Sequence, residues 1–191
     1  MTKERPILFS GAMVRAILDG RKTQTRRVMS ERHRYHFIEA SGDLALCPYG
    51  QPGDRLWVRE AIRLVPDQEP DDGTGRVLSV YNADGALTMA DAWPWKRSYL
   101  PPMHCPRGLS RIDLEVTGAR VERLNDCSDA DAVAEGIAPE LDGWTDYSNP
   151  SCQMCQNPVD SYRTLWDSIN GAGAWEANPW VWVVEFRRAA P

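Results

Sequence analysis

The segment Trp180-Val181-Trp182-Val183-Val184-Glu185-Phe186 constrains this chain more than any other. Strand spacing puts Trp180, Trp182, Val184 and Phe186 on one face and Val181 and Val183 on the other. A strand that is apolar on both faces must be covered on both, so it belongs inside a barrel or beneath a helix. Arg111 to Arg123 reads as a second long strand with one apolar face (Ile112, Leu114, Val116) and one acidic face (Asp113, Glu115). A turn at Gly50-Gln51-Pro52-Gly53-Asp54 leads into a third strand, Arg55 to Glu60, and Val77 to Tyr81 fits a short fourth. Arg21 to Val28 reads as a strand or an extended loop.

Helical spacing appears at Gly11 to Asp19, which stops at Gly20, and at Val159 to Ile169, which is expected to bury Tyr162, Leu165, Trp166 and Ile169. Ser128, with Asp131 three residues on, predicts a capped short helix through Ala132, Val133 and Glu135 to Gly136. The breaker-rich stretches Pro66 to Gly75, Ala92 to Arg107 and Asp142 to Pro158 read as loops. Together these predict one mixed α+β domain, a small, mainly antiparallel β-barrel with flanking short helices.

With 191 residues and a net charge of −5, the composition is that of a folded protein and not of a disordered chain. No apolar run reaches the ~18 residues of a membrane span. Met1-Thr2-Lys3-Glu4-Arg5 is polar, so a cytoplasmic protein is expected. The acidity is uneven. Residues 1–34 hold nine Lys/Arg against three Asp/Glu, whereas residues 126–146 hold seven acids and no base. The cationic end is able to meet a phosphate backbone. Five cysteines without an export signal argue for thiols or a metal site over a disulfide framework.

Chemistry concentrates in Gly20-Arg21-Lys22-Thr23-Gln24-Thr25-Arg26-Arg27. One reading is a solvated basic strand. The other is a nucleophile and its base. A threonine hydroxyl attacks only when a neighbouring base takes its proton, and a lysine serves when burial or nearby cations lower its pKa. Strand alternation would point Lys22 and Thr25 apart unless the segment turns there.

Gly20-x-Lys22-x-x-Thr25-x-Arg27 resembles the motif of ASCH-domain proteins, small RNA-associated barrels of the PUA-like superfamily. Pro6-Ile7-Leu8-Phe9, Cys47-Pro48-Tyr49-Gly50, Gly53 to Glu60, Leu165 to Gly171 and Asn178 to Phe186 resemble the longer phage and prophage members. Inserts at about 61–100 and 138–158 stand outside the likeness. One branch hydrolyses N4-acetylcytidine and carries threonine at the position of Thr25. The resemblance implies Thr25 as nucleophile, Lys22 as general base, Arg27 as an anion-binding or orienting residue and Glu135 as proton donor. Asp129 and Asp131 are expected to raise the pKa of Glu135 by like-charge repulsion; its other reading is an exposed helix-end glutamate.

Arg21, Arg26 and Arg27 are further candidate substrate contacts, as is Glu60, whose alternative role is a structural ion pair with Arg59. Trp93 and Trp95, with Tyr99 and His104, offer stacking surfaces for a base or simply pin a long loop. Cys152 and Cys155 form a lone C-x-x-C, to which Cys47, Cys105 and His104 would have to contribute for a structural zinc site; unmetallated thiols are the alternative. No cofactor is required for the implied reaction. The expected function is hydrolysis of an N4-acylated cytidine, with a nucleoside or single-stranded nucleic acid (RNA rather than DNA) as partner. The alternatives are a non-catalytic RNA- or DNA-binding module and a phage-associated ribonuclease.

Overall fold

The computed structural model describes residues 2–65, 77–90, 93, 95–149 and 154–189. The loop expected at Pro66 to Gly75 lies outside them. The central sheet has five strands in the order β1 (Glu4–Leu8), β3 (Arg55–Arg59), β8 (Asp113–Arg123), β12 (Trp180–Arg188) and β2 (Gln24–Val28). Its neighbours are antiparallel except for the parallel β1–β3 pair.

The fold is α+β, and the ladder is open among the described residues, with β1 and β2 as its edges. The two edges come within reach of a single side chain, since Arg27 Nη2 on β2 donates to Leu8 O on β1 at 2.6 Å. That bridge stands where the expected barrel would have had backbone pairing.

β12 is covered on both faces. Trp182, Val184 and Phe186 enter a first core with Ile7, Phe9, Val14, Ile17, Leu56, Val58, Leu114 and Val116. Val181 and Val183 enter a second core beneath α3 (Asp129–Ala134) and α4 (Pro158–Asn170), with Leu124, Ala132, Ile137, Tyr162, Trp166 and Trp175. Burial of such side chains contributes on the order of 1.5–3 kcal/mol each.

A β-bulge in β8 decides which residues reach the site. Glu185 pairs with Gly118 but Phe186 pairs with Val116, so Thr117 is an extra residue. Before the bulge Leu114 and Val116 face the first core. Beyond it Ala119 and Val121 do, and Arg120 and Glu122 turn to the opposite side.

α1 (Gly11–Leu18) is capped by Ser10 Oγ, which accepts from Met13 N, and α4 by Asn157 Oδ1, which accepts from Asp160 N. Tyr162 and Trp166 are buried on α4 as expected, but Ile169 is 56 % exposed because it sits at the helix end, past the core. The polar stretch after β2 forms α2 (Glu31–Glu39), from which Phe37 packs edge-on to Trp182 at 5.5 Å.

The inserts are more regular than their loop-like composition predicts. Residues of the first form an antiparallel sheet in the order β6 (Leu87–Ala90), β5 (Val77–Tyr81), β4 (Ile62–Leu64), β7 (Tyr99–Leu100) over a third core. The second forms β9 (Pro139–Glu140), β10 (Gly143–Thr145) and β11 (Met154–Cys155). No helix among the described residues is long and apolar enough to cross a membrane.

Candidate functional site

Two glycines bring Lys22 into the interior. Gly20, at φ +74°, takes the left-handed conformation that ends α1, and Arg21 N and Lys22 N then both donate to Ala16 O. Gly136 ends α3 at φ +87°. A Cβ there would stand 2.7 Å from Lys22 Cβ and 2.9 Å from Ala16 Cβ, so only glycine lets the two helix ends meet over Lys22. Thr23 N donates to Ala134 O at 2.9 Å, tying the start of β2 to α3.

The Lys22 ammonium is fully enclosed and uses all three protons. It donates to Glu135 Oε2, Glu135 O and Gln24 O, each at 2.8 Å. Burial pushes its pKa below the usual lysine range, against the opposing pull of Glu135. The other Glu135 oxygen accepts from Arg26 Nη1 at 3.3 Å. Two cations thus hold the carboxylate where like-charge neighbours were expected, and Glu135 is buried, not exposed.

Around this pair runs a wider network. Arg26 Nη2 reaches Glu122 Oε1 at 2.5 Å and Asp131 Oδ2 at 3.4 Å. Arg120 donates to Glu122 Oε2 at 2.9 Å, to Asp131 Oδ1 at 2.6 Å and to Glu185. Gln24 Nε2 donates to Asp131 Oδ1 at 3.1 Å. Burial works against the Asp131 carboxylate, but hydrogen bonds from Ser128 and Gln24 and the charge of Arg26 hold it well below the usual range. For Arg26, too, burial is outweighed, here by the surrounding acidic groups, and its pKa is raised.

Lys22 and Arg26 are therefore engaged inside the protein, which removes them from a solvated basic strand. Arg26 is buried in this network and is also among the residues that line a small pocket beside it. Arg27 is half-buried over Phe9 at 5.3 Å, with Lys22 Nζ 5.6 Å from the same ring.

Two clefts open beside the network. A small pocket of about 80 Å³ is lined by Thr25, Arg27, Glu135, Tyr162, Trp166 and Asn170 among others. Thr25 is 2 % exposed, and its hydroxyl makes no hydrogen bond among the described residues. A wider cleft of about 260 Å³ is lined by Ser10, Arg15, Arg21, Glu135, Thr145 and Tyr147 among others. Glu135 lines both, together with Met13 and Leu165. Arg21 is held by Asp19 and by Gly136 O, each at 3.0 Å.

Lys22, Glu135 and Thr25 are thus brought to one place, Lys22 through a direct ion pair and Thr25 through the shared pocket wall. No direct bond joins Thr25 to either partner among the described residues. The remaining candidates lie elsewhere.

Glu60 is buried and pairs with Arg111, not Arg59, through two bonds of 2.9 Å. Arg59 instead donates to Cys105 O and lies over Trp57. Trp93 and Trp95 pack edge to face at 4.9 Å against the third core and line neither cleft. Cys47 sits in the first core and Cys105 in the third, so the two cannot share a metal; Cys152 lies outside the described residues. Among the described residues no three His, Cys, Asp or Glu side chains are grouped to hold a metal ion.

Sequence reasoning missed Arg120 and Glu122 in the network because the Thr117 bulge reverses strand parity on β8, and missed Gln24 because its partner Asp131 comes from α3, more than a hundred residues on. It assigned Trp166 to the core alone, although Trp166 also lines the small pocket. The arrangement is a buried Lys22–Glu135 ion pair near Thr25, whose hydroxyl makes no hydrogen bond among the described residues, flanked by two unequal clefts. No family model, no curated protein and no solved structure matches this chain.

Proposed function

We propose that this chain is an ASCH-type protein of PUA-like architecture that hydrolyses the amide of an N4-acylated cytidine. The observation that carries the reading is the placement of Glu135, hydrogen-bonded to Lys22 at 2.8 Å while lining a pocket that Thr25 also lines, the Thr25 hydroxyl making no hydrogen bond among the described residues. Proton transfer along that bond converts the ion pair into a neutral amine and a carboxylic acid, supplying base and acid together without a net change in protonation. Burial lowers the Lys22 pKa, which favours the neutral amine that such a base requires.

In acylation, Thr25 Oγ bonds to the acyl carbon and its proton goes to Lys22. The C–N bond breaks as Glu135 protonates the leaving amine. The pair is then Lys22 ammonium and Glu135 carboxylate. In deacylation, Glu135 takes a proton from water as the water oxygen bonds to the acyl carbon, and Lys22 returns a proton to Thr25 Oγ. The neutral pair is restored and the free acid leaves.

Incubation of the purified protein with N4-acetylcytidine, with cytidine and acetate followed by chromatography, tests this. Product should form with wild type and be lost in Thr25→Ala and Lys22→Ala. Absence of cytidine from folded wild type refutes the proposal.

A further inference from the structure

An edge strand leaves the N–H and C=O of every second residue without a strand partner, free to bind what lies beside them. β2 is such an edge. Phe186 N donates to Thr23 O and Met29 N donates to Trp180 O, each at 2.8 Å, so the odd-numbered residues of β2 face β12. The main chain of Gln24, Arg26 and Val28 therefore turns to the open side. Gln24 O is taken by Lys22 Nζ, but Arg26 N–H and Arg26 C=O have no partner among the described residues.

The small pocket lies on this open side. Thr25, Arg26, Arg27 and Val28 line it in succession, with Met13 of α1 from one face of the strand and Tyr162 and Trp166 of α4 from the other. A space bordered from both faces of a strand sits at its edge. The Arg26 side chain is fully enclosed, yet the residue is 4 % exposed, so the accessible part of Arg26 is its main chain. Ion pairs from that side chain to Glu122 and Glu135 hold the residue in place. A donor and an acceptor fixed side by side match a planar ring with a ring-nitrogen acceptor next to an exocyclic N–H donor.

We infer that the main chain of Arg26 reads a cytosine-type base in this pocket, Arg26 N–H donating to ring N3 and Arg26 C=O accepting from the exocyclic N4–H. On a measure where one water takes roughly 10–15 Å³, the 80 Å³ pocket suits a single planar ring. An added peptide strand fits less well, because it needs successive open residues, Gln24 O is already bound, and α1 and α4 border the slot. The choice of cytosine rests on the amide-hydrolysis reading, in which N4 has to lie near Glu135, a residue of the same pocket wall. The main-chain donor and acceptor do not depend on it. Uracil carries donor and acceptor in the reverse order, so in the same pose N–H meets N–H and oxygen meets oxygen. Polar groups left unpaired in this way make a site reject the analogue.

The test follows the backbone amides of uniformly ¹⁵N,¹³C-labelled protein during titration with cytidine, 3-deazacytidine and uridine. In the free protein the Arg26 amide should exchange with deuterium faster than those of Thr25 and Arg27, which are bonded to β12. Cytidine should shift the Arg26 signal saturably and slow its exchange. 3-Deazacytidine, which lacks the N3 acceptor, should bind about tenfold more weakly, the loss of one hydrogen bond. Uridine should leave the Arg26 signal in place.

An Arg26 amide unmoved by cytidine, or moved equally by all three nucleosides, overturns the inference, as does exchange at Arg26 as slow as at its two neighbours in the free protein. Saturable cytidine binding at Arg26 without N4-acetylcytidine turnover supports this site and removes the hydrolase. Turnover with an Arg26 amide that cytidine does not move removes this site and keeps the hydrolase.

Discussion

Replacing Lys22 by methionine tests whether the buried ion pair is the structural centre of the site. Methionine matches the stem but removes three bonds of 2.8 Å, leaving Glu135 O, Gln24 O and one Glu135 carboxylate oxygen unpaired in the interior. Breaking a buried pair from one side costs about 3–5 kcal/mol. Arg26 still holds the other Glu135 oxygen at 3.3 Å, so the low end applies, about 3 kcal/mol. With a urea slope of about 2 kcal/mol/M, the unfolding midpoint should fall by about 1.5 M at unchanged slope.

Glu135→Gln leaves the Lys22 charge buried, but the amide oxygen can still accept from the ammonium, so the cost should fall below that range, at about 2 kcal/mol. The double variant removes both charges and should lose about 3 kcal/mol, less than the sum of the singles, a coupling of about 2 kcal/mol. Urea unfolding of the four proteins at neutral pH measures this. Losses that add within about 0.5 kcal/mol would show that the two groups do not interact, and the reasoning fails.

Gly136→Ala should destabilise by about 3 kcal/mol in thermal unfolding, from a left-handed φ and a clash with Lys22 and Ala16; a melt like wild type contradicts the close approach. Ser128→Ala should lower stability by about 1 kcal/mol, since its Oγ caps α3 by accepting from Asp131 N at 3.2 Å. Burial pushes the Cys127 thiol up to about 12. Native protein at pH 8.5 should therefore resist iodoacetamide at Cys127, with labelling appearing only in urea.

Because that thiol keeps its proton longer folded than unfolded, its contribution to stability should fall between pH 9.0 and about 12. Lys22 acts with the opposite sign: its lowered pKa means the unfolded chain holds more protons, so its contribution rises with pH until the unfolded value of 10.5. Alkaline urea titrations of wild type and Cys127→Ala separate the two, and identical pH profiles would contradict the Cys127 assignment.

Local patterns carried much of the fold. The two-sided apolarity of Trp180 to Phe186 required cover on both faces, and the first and second cores supply it. The Ser128 capping box closes with both of its bonds. Among the insert strands β5 (Val77–Tyr81) was legible, whereas α2 and the other insert strands escaped notice because their hydrophobic faces are too short to stand out against charged or breaker-rich surroundings.

At the candidate site, the Lys22-x-x-Thr25 spacing marked the segment that approaches Glu135. It could not show that Lys22 is enclosed, because the enclosure comes from Gly136 and Glu135, more than a hundred residues away. The chain by itself determined which segments alternate, which turns need glycine and where the helices are capped, all of which depend on neighbours a few residues apart. Only the tertiary structure decided that Glu135 faces two cations, that Glu60 pairs with Arg111, and that Trp166 joins Thr25 and Arg27 in lining one small pocket. Those relations join residues from different strands and helices, and the one-residue bulge at Thr117 sets which side of β8 joins them.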